Sequence, residues 1–152
     1  MPTVLWAREH EIVDGISAHH RNPLFLGDVD LPATLDSTGD LTEALTRAEV
    51  VISAVPTQHI RSVFADQAPL LSQASVVVTV SKGIEAETLQ TPHQILSDLG
   101  VPEDRLVAQS GPSFAREVAA HYPTAVVAAG RDRQRTIEAR DLFSTNRFRV
   151  YS

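Results

Sequence analysis

The chain has 152 residues, no cysteine, and 13 Lys and Arg residues against 19 Asp and Glu, for a net charge of -6. That balance leaves no basic stripe for nucleic acid or an anionic membrane, and the lack of thiols excludes a disulfide framework and a thiolate zinc site. A 43% hydrophobic content, with no apolar run of membrane-spanning length and no basic-then-apolar leader, describes an ordinary globular chain, long enough for one domain with a real core and expected in the cytoplasm.

Taken in order, residues 3–7 read as a short strand and 8–20 as a helix, with Ile12, Val13 and Ile16 near helical spacing. Residues 21–36, interrupted by Pro23, Gly27 and Pro32, read as irregular, with a short strand near 34–37. Asp40 with Glu43 three residues on is an N-cap acid pattern and predicts a short helix to Ala48. A strand over 50–55 is cut by Pro56, and a helix over 58–71 and a strand over 75–80 follow. Thr91-Pro92 offers a cap and a first-turn proline for a helix through Leu99. Then come a strand at 105–109, a helix at 113–120, a strand at 124–129, a helix at 133–143 and a strand at 148–151. The strands are continuous apolar runs, the pattern of strands buried on both faces. Their alternation with helices predicts an α/β fold: a Rossmann-like, doubly wound, mostly parallel sheet. No repeat, low-complexity tract or linker divides the chain.

In open α/β sheets ligands bind beyond the carboxyl ends of the strands. Residues 3–7 end on Arg8, 50–55 on Pro56-Thr57-Gln58, 76–80 on Ser81-Lys82-Gly83, and 105–109 on Ser110-Gly111-Pro112-Ser113. Four such polar, small or turn-forming ends on one rim predict a lined cleft. Gly83 permits a turn that holds Lys82 at the rim, where an ammonium suits an anionic or carbonyl-bearing substrate; read in isolation, the pair is a solvated lysine beside a turn glycine. Gly111 lets a ligand approach the main chain closely. Ser113 stands where a helix starts, so it is either an anion site with the free amides nearby or a plain helix cap. Arg8 either meets a cofactor 2′-phosphate or is a solvated arginine. The six histidines lie on different segments except His19-His20, which point apart on a helix, so no metal site is expected. Glu85, Glu87 and Glu117 read as solvated acids of helix starts or surfaces, and 131–135 as a solvated turn and helix start.

The segments VLWAREHEIVDGI, HRN, VVISAVPTQHIRSVF, SKGIEAETL, SGPSFAREVA and FRVYS come in the order found in the bacterial NAD(P)-dependent glycerol-3-phosphate dehydrogenases. The chain resembles the N-terminal cofactor-binding domain of that family over essentially its whole length. The resemblance implies the reversible reduction of dihydroxyacetone phosphate to sn-glycerol 3-phosphate, at the entrance to phospholipid synthesis, with NADP or NAD as cofactor. Carried over by residue, it implies that Arg8 contacts the adenosine end of the cofactor. Val55 and Pro56, with Gln58 close by, match the stretch beside its ribose, and Ala115 matches another cofactor contact. Lys82 matches a lysine shared by the cofactor and substrate sites, and Gly111 and Ser113 match substrate contacts.

Two parts of the family pattern do not occur in these 152 residues. One is an initial strand with a G-x-G-x-x-G turn and helix; the other is the helical domain after F-R-V-Y that supplies the catalytic lysine, a residue Lys82 does not match. The comparison implies a partial NAD(P)-binding Rossmann domain over 1–152, without the first, central strand of a 3-2-1-4-5-6 sheet. It implies no catalytic residue, weak or absent cofactor binding, negligible turnover by this chain alone, and self-association through the edges that strands 3–7 and 50–55 leave unpaired. The alternatives are a non-catalytic nucleotide-binding or association module descended from that enzyme, another dehydrogenase of the superfamily acting on a different hydroxy acid, and an unrelated flavodoxin-like binding domain. The S-K-G-I-E and S-G-P-S segments speak against the second, and the ordered strand-end matches are unexplained by the third.

Overall fold

A computed structural model describes residues 2–152. The chain forms two compact units, 1–47 and 48–152, each with its own sheet.

In the first unit, strands β1 (Thr3–Trp6) and β2 (Leu35–Thr38) pair in parallel, Thr3 opposite Leu35 and Trp6 opposite Thr38. Helix α1 (His10–His19) connects back to this ribbon and buries Ile12 and Ile16, whose i, i+4 spacing puts them on one face. They pack with Ala7 against Leu5, Val13, Leu31 and Leu35. Helix α2 (Leu41–Leu45) is capped as its sequence predicts: the Asp40 carboxylate accepts from the amides of Thr42 at 2.8 Å and Glu43 at 3.3 Å. Glu43 does not reach back to the cap. It accepts a hydrogen bond from the Thr38 hydroxyl, and the Asp40 amide donates to Thr38 Oγ1 instead. The helix ends before the expected Ala48, and Arg47 adopts a left-handed φ of 68°.

The second unit holds strands β3 (Val50–Ser53), β4 (Val76–Thr79), β5 (Leu106–Ser110), β6 (Thr124–Gly130) and β7 (Phe148–Tyr151), in the order β3-β4-β5-β6-β7. Three pairings are parallel, and β5–β6 is antiparallel. This is an α/β, Rossmann-like fold with mostly parallel sheets. The carboxyl ends of β3, β4 and β5 therefore stand side by side on one rim, while β6 and β7 end on the other. Short helices α3 (Ile60–Phe64), α4 (Ala68–Leu71) and α5 (Pro92–Asp98) supply the buried Ile60, Phe64, Leu71, Ile95 and Leu96. Thr91 and Gln94 form a reciprocal capping box at the start of α5. Helix α6 (Ala115–Ala119) follows β5, and α7 (Arg133–Phe143), capped by Asp132, places Ala139 in a cluster with Val76, Val78, Val107, Val126, Ala128 and Val150.

Two expectations change. The helix over 58–71 is broken into α3 and α4, flanked by single 3₁₀ turns; Pro69 near the start of α4 has no N–H to continue the ladder. The strands are also not uniformly buried on both faces. All four residues of β4 are buried, but β6 alternates, with Thr124, Val126 and Ala128 inside and Ala125, Val127 and Ala129 exposed. Its apolar composition hid a period-two strand with one uncovered face. Among the described residues β1 pairs only with β2, and β3 only with β4. No helix of the described residues is long and apolar enough to cross a membrane.

Candidate functional site

The rim of β3, β4 and β5 carries the polar strand ends of the larger unit. At the end of β4 the chain leaves the sheet through Ser81-Lys82-Gly83. The Ser81 hydroxyl donates to the Val55 carbonyl at 2.6 Å, which ties the end of β4 to the chain leaving β3. Thr57 is 4% exposed, and its hydroxyl donates to the Lys82 carbonyl at 2.7 Å. Gly83 then takes φ +108°, a backbone region closed to side chains by strain; space is available there, since an added Cβ would meet only Thr57 Oγ1 at 3.7 Å. With its carbonyl fixed and the turn made, Lys82 projects an exposed ammonium whose Nζ stands 3.5 Å from Ser113 Oγ.

Gly111 has a packing reason to be glycine. A Cβ at this position would lie 2.9 Å from the Ala125 carbonyl oxygen, from Val126 Cα and from Val126 Cγ1. Strand β6 presses against the loop, and the missing side chain is what lets the two backbones meet. Ser113 also differs from expectation. Helix α6 begins two residues later, its N-cap is Phe114, and no side chain caps it. The Ser113 hydroxyl donates to the Gly111 carbonyl at 3.3 Å, so Ser113 is neither a helix cap nor at a helix start.

The other sequence-assigned residues take these places. Val55 is half-buried and Pro56 exposed in the chain leaving β3, and Ala115 is exposed as the first residue of α6. Arg8 is exposed and follows β1 in the 1–47 unit. Thus Lys82, Gly111 and Ser113 come together with Val55 and Pro56 on neighbouring strand ends of one sheet. Gln58 spends its amide on the protein itself: Nε2 donates to the Ile84 carbonyl at 2.7 Å and Oε1 accepts from the Ala86 amide at 3.0 Å.

Glu85 is not a solvated acid: it is 7% exposed. Its carboxylate accepts from the Arg61 guanidinium at 3.1 to 3.4 Å and from the Thr88 hydroxyl at 2.5 Å. These hydrogen bonds, from Arg61 first and Thr88 second, hold its carboxyl below the ordinary value. Sequence reasoning placed Thr57 at a strand end without a role, read Glu85 as solvated, and did not single out Arg61. The signal available was a hydroxyl and a cation at one strand end and an acid just after the next.

This chain matches the family model described as the NAD-dependent glycerol-3-phosphate dehydrogenase N-terminus over residues 1–136. It is 42% identical to a glycerol-3-phosphate dehydrogenase [NAD(P)+] of Koribacter versatilis over 150 residues, which are 97% of this chain and 44% of that protein. Among solved structures it is similar to glycerol-3-phosphate dehydrogenase from Coxiella burnetii, with a TM-score of 0.85 and 27% identity over 97% of this chain and 45% of the other. The glycerol-3-phosphate dehydrogenase of Plasmodium falciparum gives a TM-score of 0.88 at 25% identity, over 97% and 42%. The chain spans less than half the length of the curated relatives it matches.

Proposed function

We propose, for a chain that belongs to the NAD-dependent glycerol-3-phosphate dehydrogenase N-terminus family, that its 152 residues supply the substrate-lining rim and part of the cofactor site of that reaction. The observation that supports it most is the approach of the Lys82 ammonium to the Ser113 hydroxyl across the ends of β4 and β5. A cation beside a rotatable hydroxyl, above an exposed edge, suits the oxygens of a three-carbon phosphate such as glycerol 3-phosphate or dihydroxyacetone phosphate. In this reading Lys82 binds and polarises, Ser113 orients, and Gly111 keeps the loop low enough for both.

The cofactor finds only part of a site. Pro56, Ala115 and Lys82 are exposed on the rim and would border the ribose and nicotinamide end; for Arg8, exposed in the 1–47 unit, the contact with the adenosine end rests on the family resemblance alone. The seven glycines contain no G-x-G pair, so no glycine-rich turn in these residues cradles a pyrophosphate. NAD(P), when bound, supplies or accepts the hydride; these residues bind and orient. The chain by itself is expected to bind the dinucleotide weakly or not at all and to show negligible turnover, while the family reaction to which its rim belongs is expected in the cytoplasm, on lipid precursors. We assign it no catalytic proton donor. Strand β3, paired among the described residues on one side only and carrying Ile52 at 44% exposure, supports self-association through that edge.

Titration of the ¹⁵N-labelled chain with sn-glycerol 3-phosphate tests this reading. Shifts are expected at Lys82, Gly111 and Ser113, lost in Lys82→Ala; shifts confined to other surfaces, or none, would refute it. Light scattering against concentration tests the association, which a clean monomer would exclude.

A further inference from the structure

The loop after β4 spans residues 82–90 and has no regular secondary structure. Such a segment has few bonds of its own, and its conformation must be imposed from outside. Within it the Glu85 amide donates to the Gln90 carbonyl and the Leu89 amide to the Glu85 carbonyl, one closed turn at its far end. The near end, which carries Lys82, is gripped by the element that follows β3. Thr57, Gln58 and Arg61 are consecutive contacts on that element, and each reaches a different part of the loop.

Thr57 takes the Lys82 carbonyl. Gln58 uses both ends of its amide, donating to Ile84 and accepting from Ala86, so that a single side chain reads two backbone groups two residues apart, as a paired strand would. Arg61 closes the far end, its guanidinium forked onto Glu85 and donating to Gln90 Oε1 at 2.6 Å. Its NH2 group also lies 3.6 Å from the Asp98 carboxylate of α5. The Gln90 amide in turn donates to that carboxylate at 2.7 Å. The grips fall on loop backbone, on the buried Glu85 and on the Gln90 side chain, and none of the three residues bonds the Lys82 side chain.

We propose that Thr57, Gln58 and Arg61 form a clasp whose task is to aim Lys82: they are positioning residues that set where its ammonium stands relative to Ser113. The proposal rests on the reading of Lys82 as a ligand-binding residue, but its geometry can be tested apart from any ligand. A lysine is a flexible point charge on a four-carbon stem. Fixing its carbonyl and the turn after it removes backbone freedom, so the ammonium searches a small volume that includes the Ser113 hydroxyl. Without the clasp the same charge sweeps the solvent, and a phosphate must pay to order the loop on binding.

Lys82 is the only lysine in the chain, so a sample labelled with ¹³C-lysine reports this one side chain. The full chain should show two resolved Hε resonances for Lys82, moved by Ser113→Ala. In Gln58→Ala, and separately in Arg61→Met, the pair should merge toward free-lysine values. Amide exchange at Glu85, Ala86 and Leu89 should quicken about ten-fold, the effect of losing one or two net hydrogen bonds, while Val77 and Val107 in the sheet keep their protection. Gln58→Glu keeps the acceptor for Ala86 and loses the donor to Ile84, and should fall between. Affinity for sn-glycerol 3-phosphate should drop by a similar factor in the same variants. Faster loop exchange with an unchanged Lys82 signal would overturn the clasp as an aiming device and leave only a structural brace. A wild-type Lys82 that is ordered, and released by both variants, yet indifferent to sn-glycerol 3-phosphate, would support the clasp while refuting the ligand reading.

Discussion

The two loops that bring Lys82 and Ser113 together are fixed by opposite means. The loop after β4 is held by side chains reaching in from elsewhere, Thr57, Gln58 and Arg61. The loop after β5 is held by contact of main chain with main chain, Gly111 against Ala125 and Val126 of β6. The first arrangement is built from hydrogen bonds that water can replace singly. The second is built from excluded volume, which admits no partial substitute. A rim assembled in this way has one stiff wall and one adjustable wall, and the charged group sits on the adjustable one.

The largest expected effect comes from disturbing the stiff wall. Gly111→Ala places a methyl group 2.9 Å from backbone atoms of β6, and backbone cannot rotate away as a side chain does. We expect a loss of about 1–3 kcal/mol, the usual cost of overpacking, read as a lower melting temperature of the whole chain in calorimetry; an unchanged melt would show that β6 yields and that the walls do not differ. Gly83→Ala, on the adjustable side, is a test of φ rather than of space, and should cost roughly 1–2 kcal/mol from the left-handed strain alone. A cost equal to or above that of Gly111→Ala would reverse the ranking.

Acid separates the walls without mutation. The Glu85 carboxyl is held below its ordinary value by Arg61 and Thr88, so the folded loop takes up that proton less readily than the unfolded chain. Its contribution is complete above the ordinary carboxylate range and is lost as the pH falls below it through the depressed value in the fold. Amide exchange measured on descending pH, corrected for the intrinsic rate, should show Glu85 and Leu89 losing protection before Val126. Simultaneous loss would mean that the Arg61–Glu85 pair does not hold the loop. The smallest global effect is expected for Gln58→Ala. Its side chain is exposed, and the melt should move by about 0.5 kcal/mol or less, even as Ala86 exchanges faster. A global loss as large as that of Gly111→Ala would make the clasp part of the core.

The strength of each local signal decided what could be read from the sequence. The caps at Asp40 and Thr91, the helix at 133–143 and the β-strands were legible because propensity, capping and periodicity act within a few residues. The ordered motifs carried the family, and the residues ending β4 and β5 were the ones that meet on the rim. The break in the helix over 58–71 had a local signal in Pro69, which the reading of one continuous helix did not use.

The remainder depended on neighbours distant in sequence. Whether β6 ran with or against β5, and which of its faces was covered, followed from pairing and packing partners that its apolar residues do not encode. Glu85 read as a solvated acid of a helix start or surface, because Arg61, which pairs with it and allows its burial, lies 24 residues away. That Gly111 also packs against Ala125 and Val126 of β6 could not be read from its own segment. Local sequence determined which elements form, because those energies are settled between adjacent turns of chain. Tertiary structure alone decided what each strand end touches, because contact across a sheet is a property of two segments at once.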